Sequence, residues 1–278
     1  GAGGKGAIHG VAPGCYLWSC KVLDKNGNGI QDRSEHGIKA VPVSNGRDVV
    51  LTDKDGNFSI SVADGESLFP IIPSGYTSSS GDIIRSSDFL FKTRQSKDKV
   101  DFALKKEKQP ENVISAGNVY GSYIHGLFEH FTLGAIGDIQ MGNPQELDYA
   151  NQTIIPELAG RKDIQLAVWL GDLVNNRLEL FEDVREMIRC TEIPSWVLPG
   201  NHDRITNGHT LQDSLFNCYF GASAYAFNYG NVHFIILNNV APDSKRGYKA
   251  RISDRQITFI KNDLSYVPKD RFVVFCQH

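Results

Sequence analysis

The feature that most constrains this chain is a change of hydrophobic period part of the way along it. Up to about residue 105 the apolar residues form short β-branched runs, such as Val41-Pro42-Val43-Ser44, Asp48-Val49-Val50-Leu51-Thr52 and Phe58-Ser59-Ile60-Ser61-Val62. Turn text separates them: Ser44-Asn45-Gly46, Asp53-Lys54-Asp55-Gly56-Asn57 and Ala63-Asp64-Gly65. Phe58, Ile60 and Val62 alternate with serines, the pattern of a half-buried antiparallel strand. No helical period is evident before residue 105. An all-β sandwich over residues 1–105 is the economical reading.

Beyond residue 128 the text becomes strand, helix, strand. Phe131 to Gly137, Ile164 to Leu170 and Ser195 to Leu198 read as buried strands. Between them, Gln145 to Gly160 and Leu178 to Cys190 carry apolar residues at helical spacing. Such alternation predicts an α/β domain over 128–278. The stretch 106–127 opens on Lys106-Glu107-Lys108-Gln109-Pro110, which suits a linker. A chain of 278 residues agrees with two domains.

In α/β sheets, ligands bind outside the carboxyl ends of the strands. Here three successive strands deliver polar residues at that edge: Gly137-Asp138-Ile139-Gln140, Gly171-Asp172 and Gly200-Asn201-His202-Asp203. A lone Gly-Asp is ordinary turn text. Three such ends in order, the last offering amide, imidazole and carboxylate together, suit a centre for borderline divalent or trivalent cations.

These blocks resemble those of the calcineurin-like metallophosphoesterases. The pair of runs within Tyr225–Asn238 and the closing run Arg271 to His278 are similar to later parts of the same domain, so the resemblance covers about residues 130–278. The resemblance implies a four-layer αββα fold and a two-metal phosphoester hydrolase acting on a small phosphorylated substrate. Asp172 would bridge two cations of the Mn, Fe or Zn class. Asp138 and the side-chain oxygen of Gln140 would hold the first cation, and Asn201 and His278 the second. His202 would protonate the leaving group, with Asp203 orienting its ring.

Gln140 stands where the family more often has His. The family's further Gly-His-x-His block has no counterpart in residues 1–278. The expectation is therefore a domain incomplete at its C-terminal side, holding metal weakly and weakly active or inactive as given. The alternative is a non-catalytic cell-surface binding protein whose phosphoesterase domain has degenerated.

A second cation is suggested earlier. Asp24, Asn26, Asn28, Asp32 and Glu35 fall at positions 1, 3, 5, 9 and 12 of a loop with Gly29 at its sixth, the spacing that wraps Ca²⁺ in oxygens. A solvated Asn-Gly turn would produce similar text. The run also resembles calcium loops in the β-sandwich repeats of bacterial adhesins.

Composition narrows the partners. With 29 basic and 32 acidic side chains the net charge is −3, which disfavours nucleic acid as the main partner. No apolar run is long enough to span a membrane. Five scattered cysteines without a C-x-x-C pair give neither a zinc ribbon nor a disulfide framework, and Cys276 reads as a small core residue. Gly1-Ala2-Gly3-Gly4 has no features of a signal peptide. Export to the periplasm or cell surface is expected from the resemblance of the front module. Oligomeric state is not legible. The loop Ser78 to Asp82, the aromatics Tyr16 and Trp18, and the basic run Lys245 to Arg251 read as ordinary surface features.

Overall fold

The computed structural model describes residues 15–24, 36–63, 66–88, 90–91, 100–108, 131–207, 210–245 and 247–278. The first part is β-rich. The strand Cys15–Asp24 pairs antiparallel with Asn57–Ala63 and parallel with Phe102–Lys106, which in turn pairs with Tyr76–Ser78. A second sheet runs in the order Val49–Leu51, Pro42–Ser44, Ser67–Pro70, Leu90–Phe91. The alternation read in the sequence is present: Phe58, Ile60 and Val62 are buried. A 3₁₀ turn at Arg85–Asp88 is the helical element here among the described residues. Most of the stretch 106–127 lies outside them, as do loop residues 26–35.

The second part is α/β. Thr132–Ile136, Ile164–Trp169 and Ser195–Val197 form a parallel three-stranded sheet in chain order. A second sheet joins the hairpin Tyr225–Tyr229 and Val232–Ile236 to the parallel strand Phe272–Cys276. Among the described residues it also has five α-helices, α1 (Pro144–Gln152), α2 (Ile154–Gly160), α3 (Phe181–Arg189), α4 (Ser214–Phe220) and α5 (Asp254–Leu264), and two short hairpins, Ile205–Asn207 with Thr210–Gln212 and Val240–Asp243 with Gly247–Ala250. Asn143 caps α1 by accepting from the N–H of Glu146, with Pro144 at the first helical position where a missing N–H costs nothing.

The single helix expected over Gln145–Gly160 is broken in two at Thr153. Pro156 explains the break, because it has no N–H to bond the carbonyl four residues back.

Strand periodicity sorts the side chains of the parallel sheet onto two faces. Trp169 and Val197 turn toward a core built with Phe181, Val184, Ile188, Phe216 and Phe220 of the helices. Leu166, Val168, Trp196 and Leu198 turn toward the second sheet. There Trp196 stacks on Phe227 at 4.1 Å between ring centres, and Phe227 on Phe234 at 4.7 Å. The stack holds the two sheets face to face.

The β-rich part joins this core. Leu68, Phe69, Ile71 and Ile72 lie in one continuous cluster with Phe227, Phe234 and Phe259. Its backbone also covers both sheets: Ile83 C=O accepts from Ser195 N–H at 2.8 Å, and Ile72 C=O from Asn228 N–H at 2.9 Å. Ile84 and Ile72 each form a parallel bridge, to Ser195 and Phe227 respectively. An unpaired strand edge is an aggregation hazard, and this backbone removes two of them.

Candidate metal centre

The segments that follow the first and second parallel strands are sewn together by backbone bonds. Asp138 N–H donates to Gly171 C=O at 3.1 Å, Gln140 N–H to Asp172 C=O at 2.8 Å, and Met141 N–H to Leu173 C=O at 3.0 Å. This zipper forces unusual torsions. Asp138, Gln140 and Asp172 sit in the left-handed region at φ of 55°, 42° and 51°. Non-glycine residues reach that region only at a cost, and such residues cluster at functional sites.

Two glycines let the second and third loops approach. A Cβ on Gly171 would lie 2.4 Å from the Gly200 nitrogen, and one on Gly200 would lie 2.0 Å from Asp172 Oδ1. Only hydrogen fits at either place.

The side chains converge. One ligand atom from each of Asp138, Asp172 and His278 lies within 4.8 Å of the others. Asp172 is almost wholly buried, whereas Asp138 is open to solvent. The Gln140 amide reaches Asp172 Oδ2 at 3.1 Å, and the His202 N–H donates to Asp172 Oδ1 at 3.0 Å.

His278 arrives from the second sheet, following the strand Phe272–Cys276. Its Nδ1 lies 2.9 Å from Leu170 C=O, which can only accept, so Nδ1 carries the proton. That tautomer leaves Nε2 with a lone pair, 3.2 Å from Asn201 Oδ1 and 3.6 Å from Asp172 Oδ1. Lone pairs on an imidazole, an amide oxygen and a carboxylate facing one another are what a cation satisfies. The donor set therefore fits a metal of the N/O-preferring class, with Leu170 C=O fixing the ring from behind.

Asp203 does something other than steer the ring of His202. Its Oδ1 accepts from the N–H groups of Leu173 and Val174 at 2.9 and 3.1 Å, and its Oδ2 from Gly200 N–H at 2.9 Å. Both oxygens are thereby committed to clamping the second loop to the third. Burial pushes its carboxyl up to about 6 against these three bonds. His202 Nδ1 is buried without a hydrogen-bond partner among the described residues, while its Nε2 lies 3.8 Å from Asp172 Oδ2.

Sequence reasoning missed Asn238 and Asn239. They follow the strand Val232–Ile236, and Asn239 donates to the His278 carbonyl at 2.5 Å. The signal was present, since a buried strand again ends in amides at the same edge. Of the five expected calcium ligands, Asn26, Asn28, Asp32 and Glu35 lie outside the described residues. Only the backbone of Asp24 is placed, at the end of its strand.

An Asp/His/Asn cluster gathered around the buried Asp172 at the carboxyl edge of a parallel sheet marks an α/β protein with a candidate metal centre. Comparison with known proteins gives the family. Residues 131–273 match the model of the calcineurin-like phosphoesterases, and residues 25–107 match the model of the N-terminal part of calcineurin-like phosphoesterases. The chain belongs to the calcineurin-like phosphoesterase family.

It is similar to a 3′,5′-cyclic-nucleotide phosphodiesterase of Nostoc sp., 25% identical over 119 residues. That match spans 42% of each chain, so this chain covers about two-fifths of its curated relative. A solved dimetal phosphatase from Danio rerio aligns at 14% identity with a TM-score of 0.38, over 53% of this chain and 69% of that one.

Proposed function

We propose that this protein is a metal-dependent phosphoester hydrolase acting on a small phosphorylated substrate. The observation that carries the reading is the convergence of Asp138, Asp172 and His278 from two different sheets within 4.8 Å of one another. The backbone strain at Asp138, Gln140 and Asp172 argues against the rival reading of a degenerate domain. A domain that had lost its chemistry would have no reason to retain three costly torsions on these residues.

In this reading Asp172 would be shared by two cations, with Asp138 and Gln140 holding the first and Asn201 and His278 the second. Rotating the Gln140 amide by half a turn presents its oxygen where its nitrogen now meets Asp172. When bound, such cations polarise phosphoryl oxygens and make water nucleophilic near neutral pH. His202 Nε2 holds the proton destined for the leaving-group oxygen. Asp203 keeps the two loops in register so that Asp172 and His202 stay in line. Metal identity falls in the Mn, Fe or Zn class by donor type. Three protein ligands per ion, two of the donors being amides, imply weak metal retention by these residues alone, and correspondingly weak turnover.

Two stacked sheets with helices outside them are consistent with the four-layer arrangement. The front module is read as calcium-stabilised through Asp24, Asn26, Asn28, Asp32 and Glu35, and the whole protein as exported. A Ca²⁺ titration should raise the melting temperature, since a ligand bound only by the native state must do so. Asp172→Ala should abolish Mn²⁺-dependent hydrolysis of an aryl phosphate and weaken Mn²⁺ binding measured by calorimetry. Undiminished hydrolysis in that variant would remove the two-metal reading.

A further inference from the structure

A groove of about 500 Å³ lies between the loop that carries Asp138 and Gln140 and one side of α1. Concavities of this size are where small molecules bind. Its apolar wall consists of Ile139, Met141, Tyr149, Ala150 and Ile154. Ile139 stands directly between Asp138 and Gln140 in the chain, and Met141 follows Gln140. Consecutive Cα atoms are about 3.8 Å apart, so the wall and two of the candidate metal ligands belong to one short turn. Asp138 is the most exposed member of the Asp138, Asp172, His278 cluster. The open side of the metal centre and the groove wall are thus neighbours.

Both walls are fixed by backbone bonds. Met141 N–H donates to Leu173 C=O at 3.0 Å, and Met141 C=O accepts from Asn175 N–H at 3.0 Å. On the helix side, Glu146 Oε2 accepts from Gly142 N–H at 2.7 Å, and Asn143 Oδ1 from Glu146 N–H at 3.0 Å. These reciprocal bonds tie the loop to the start of α1, in the manner of a capping box. The break between α1 and α2 then brings Ile154 onto the same lining.

The lining is open to a ligand, since Tyr149 is 68% exposed and Ile154 39%. Single exposed apolar side chains are ordinary, but several around one concavity form a surface that an apolar group can cover. No cationic side chain among the described residues lines it. Arg177, which donates to Gly142 C=O behind the loop, is paired with Glu179 at 2.5 Å. The charge in the lining is the Glu146 carboxylate, already answered by Gly142 N–H and Asn143 Nδ2. A phosphoryl group therefore gains nothing in the groove, and the part of an ester that does gain there is uncharged and apolar.

We infer that the groove receives an apolar organic group, aryl or alkyl, carried by the phosphoester whose phosphoryl group meets the metal centre. Removing that group from water supplies the affinity. Tyr149 offers a ring face to an aryl group, and the aliphatic side chains of Ile139 and Ile154 offer contact to either kind. The inference rests on the hydrolase reading for the role of the ester, though the apolar binding itself does not.

The test is calorimetric titration of the whole 278-residue protein with methylphosphonate, octylphosphonate and 1-naphthylmethylphosphonate, in Mn²⁺ and again in EDTA. Phosphonates carry a C–P bond in place of the ester, so binding is read without turnover. At least one of the two larger ligands should bind about tenfold or more tightly than methylphosphonate in Mn²⁺, because it buries more apolar surface. The tighter of the two identifies the group as alkyl or aryl. Tyr149→Ala and Ile154→Ser, both at exposed positions, should each reduce that advantage about three- to tenfold. No advantage over methylphosphonate overturns the inference, as does an advantage that both variants retain in full. An advantage that the variants reduce, with no ligand binding more tightly in Mn²⁺ than in EDTA, supports the groove and overturns the hydrolase reading instead.

Discussion

Asp172 sits at the crowded meeting of two loops, and its surroundings explain why glycine flanks it. Gly200 faces it so closely that an added methyl would lie 2.0 Å from its Oδ1 and 2.4 Å from its nitrogen. Neither atom can retreat, because the carboxylate is held by His202 N–H and the backbone by the Gln140 zipper. Gly200→Ala should therefore push the carboxylate out of place, costing about 1–3 kcal/mol of stability as an overpacked site does. Mn²⁺ affinity should fall along with it. Denaturant unfolding reads the first effect and calorimetric titration the second, and an alanine variant with wild-type metal affinity would contradict this geometry. At this scale the placement of the candidate residues was legible, because Gly-Asn-His-Asp after a buried strand announces the turn that brings them to the carboxyl edge of the sheet. The use of Asp203 was not. Nothing in a tetrapeptide tells whether its last carboxylate serves the neighbouring ring or three backbone N–H groups across a loop.

Between elements, the least expected contact joins the segment before the 3₁₀ turn to α3. Asp82 accepts from Arg189 Nε and Nη2 at 3.1 and 2.6 Å, and from Arg185 at 3.3 Å. Burial alone would raise its carboxyl. The hydrogen bonds from Arg189 and Ile84 and the two guanidinium charges outweigh it and hold the group down to about 2. A carboxyl lowered in the folded state gives stability above its unfolded value and loses it as pH falls through the folded one. This contact should therefore be at full strength above about pH 5, largely lost near pH 2 and gone below about pH 1, following the depressed value of about 2. Asp82→Ala should lower stability by about 1–2 kcal/mol at pH 7, allowing for solvent screening, and should make little difference near pH 2. Denaturant midpoints at the two pH values measure it, and an equal loss at both would show that the charge pairing is not the cause. This contact was not legible in the sequence, since Ser78 to Asp82 reads as a polar loop and the partners of Asp82 lie more than a hundred residues away.

Across the whole molecule, the two grammars of the sequence correspond to two architectures but not to two separate cores. Period tells which face of an element is apolar and is silent about what covers it. The run Leu68-Phe69-Pro70-Ile71-Ile72 carried no clear alternation, yet it supplies the β-rich side of the shared core. Phe227 stands at the centre of that core, stacked between Trp196 and Phe234 and bridged through its backbone to Ile72. Polar bonds reinforce the same seam: Asn228 donates to Ile72 C=O at 3.0 Å, and Arg271 to Ser74 Oγ at 2.9 Å. If the core is continuous, neither part can melt without exposing the other's apolar surface, and unfolding should be a single cooperative event. Phe227→Ala should cost about 3–5 kcal/mol, as deletion of a buried aromatic does. More tellingly, it should lower one transition rather than split it. Scanning calorimetry of the wild type and variant, read beside near-ultraviolet dichroism from Trp169 and Trp196, decides the matter. Two resolved transitions, with only the later one shifted in Phe227→Ala, would mean that the seam is a contact between independent domains. A single shifted transition would mean that the β-rich part and the α/β part fold as one cooperative unit around the shared core.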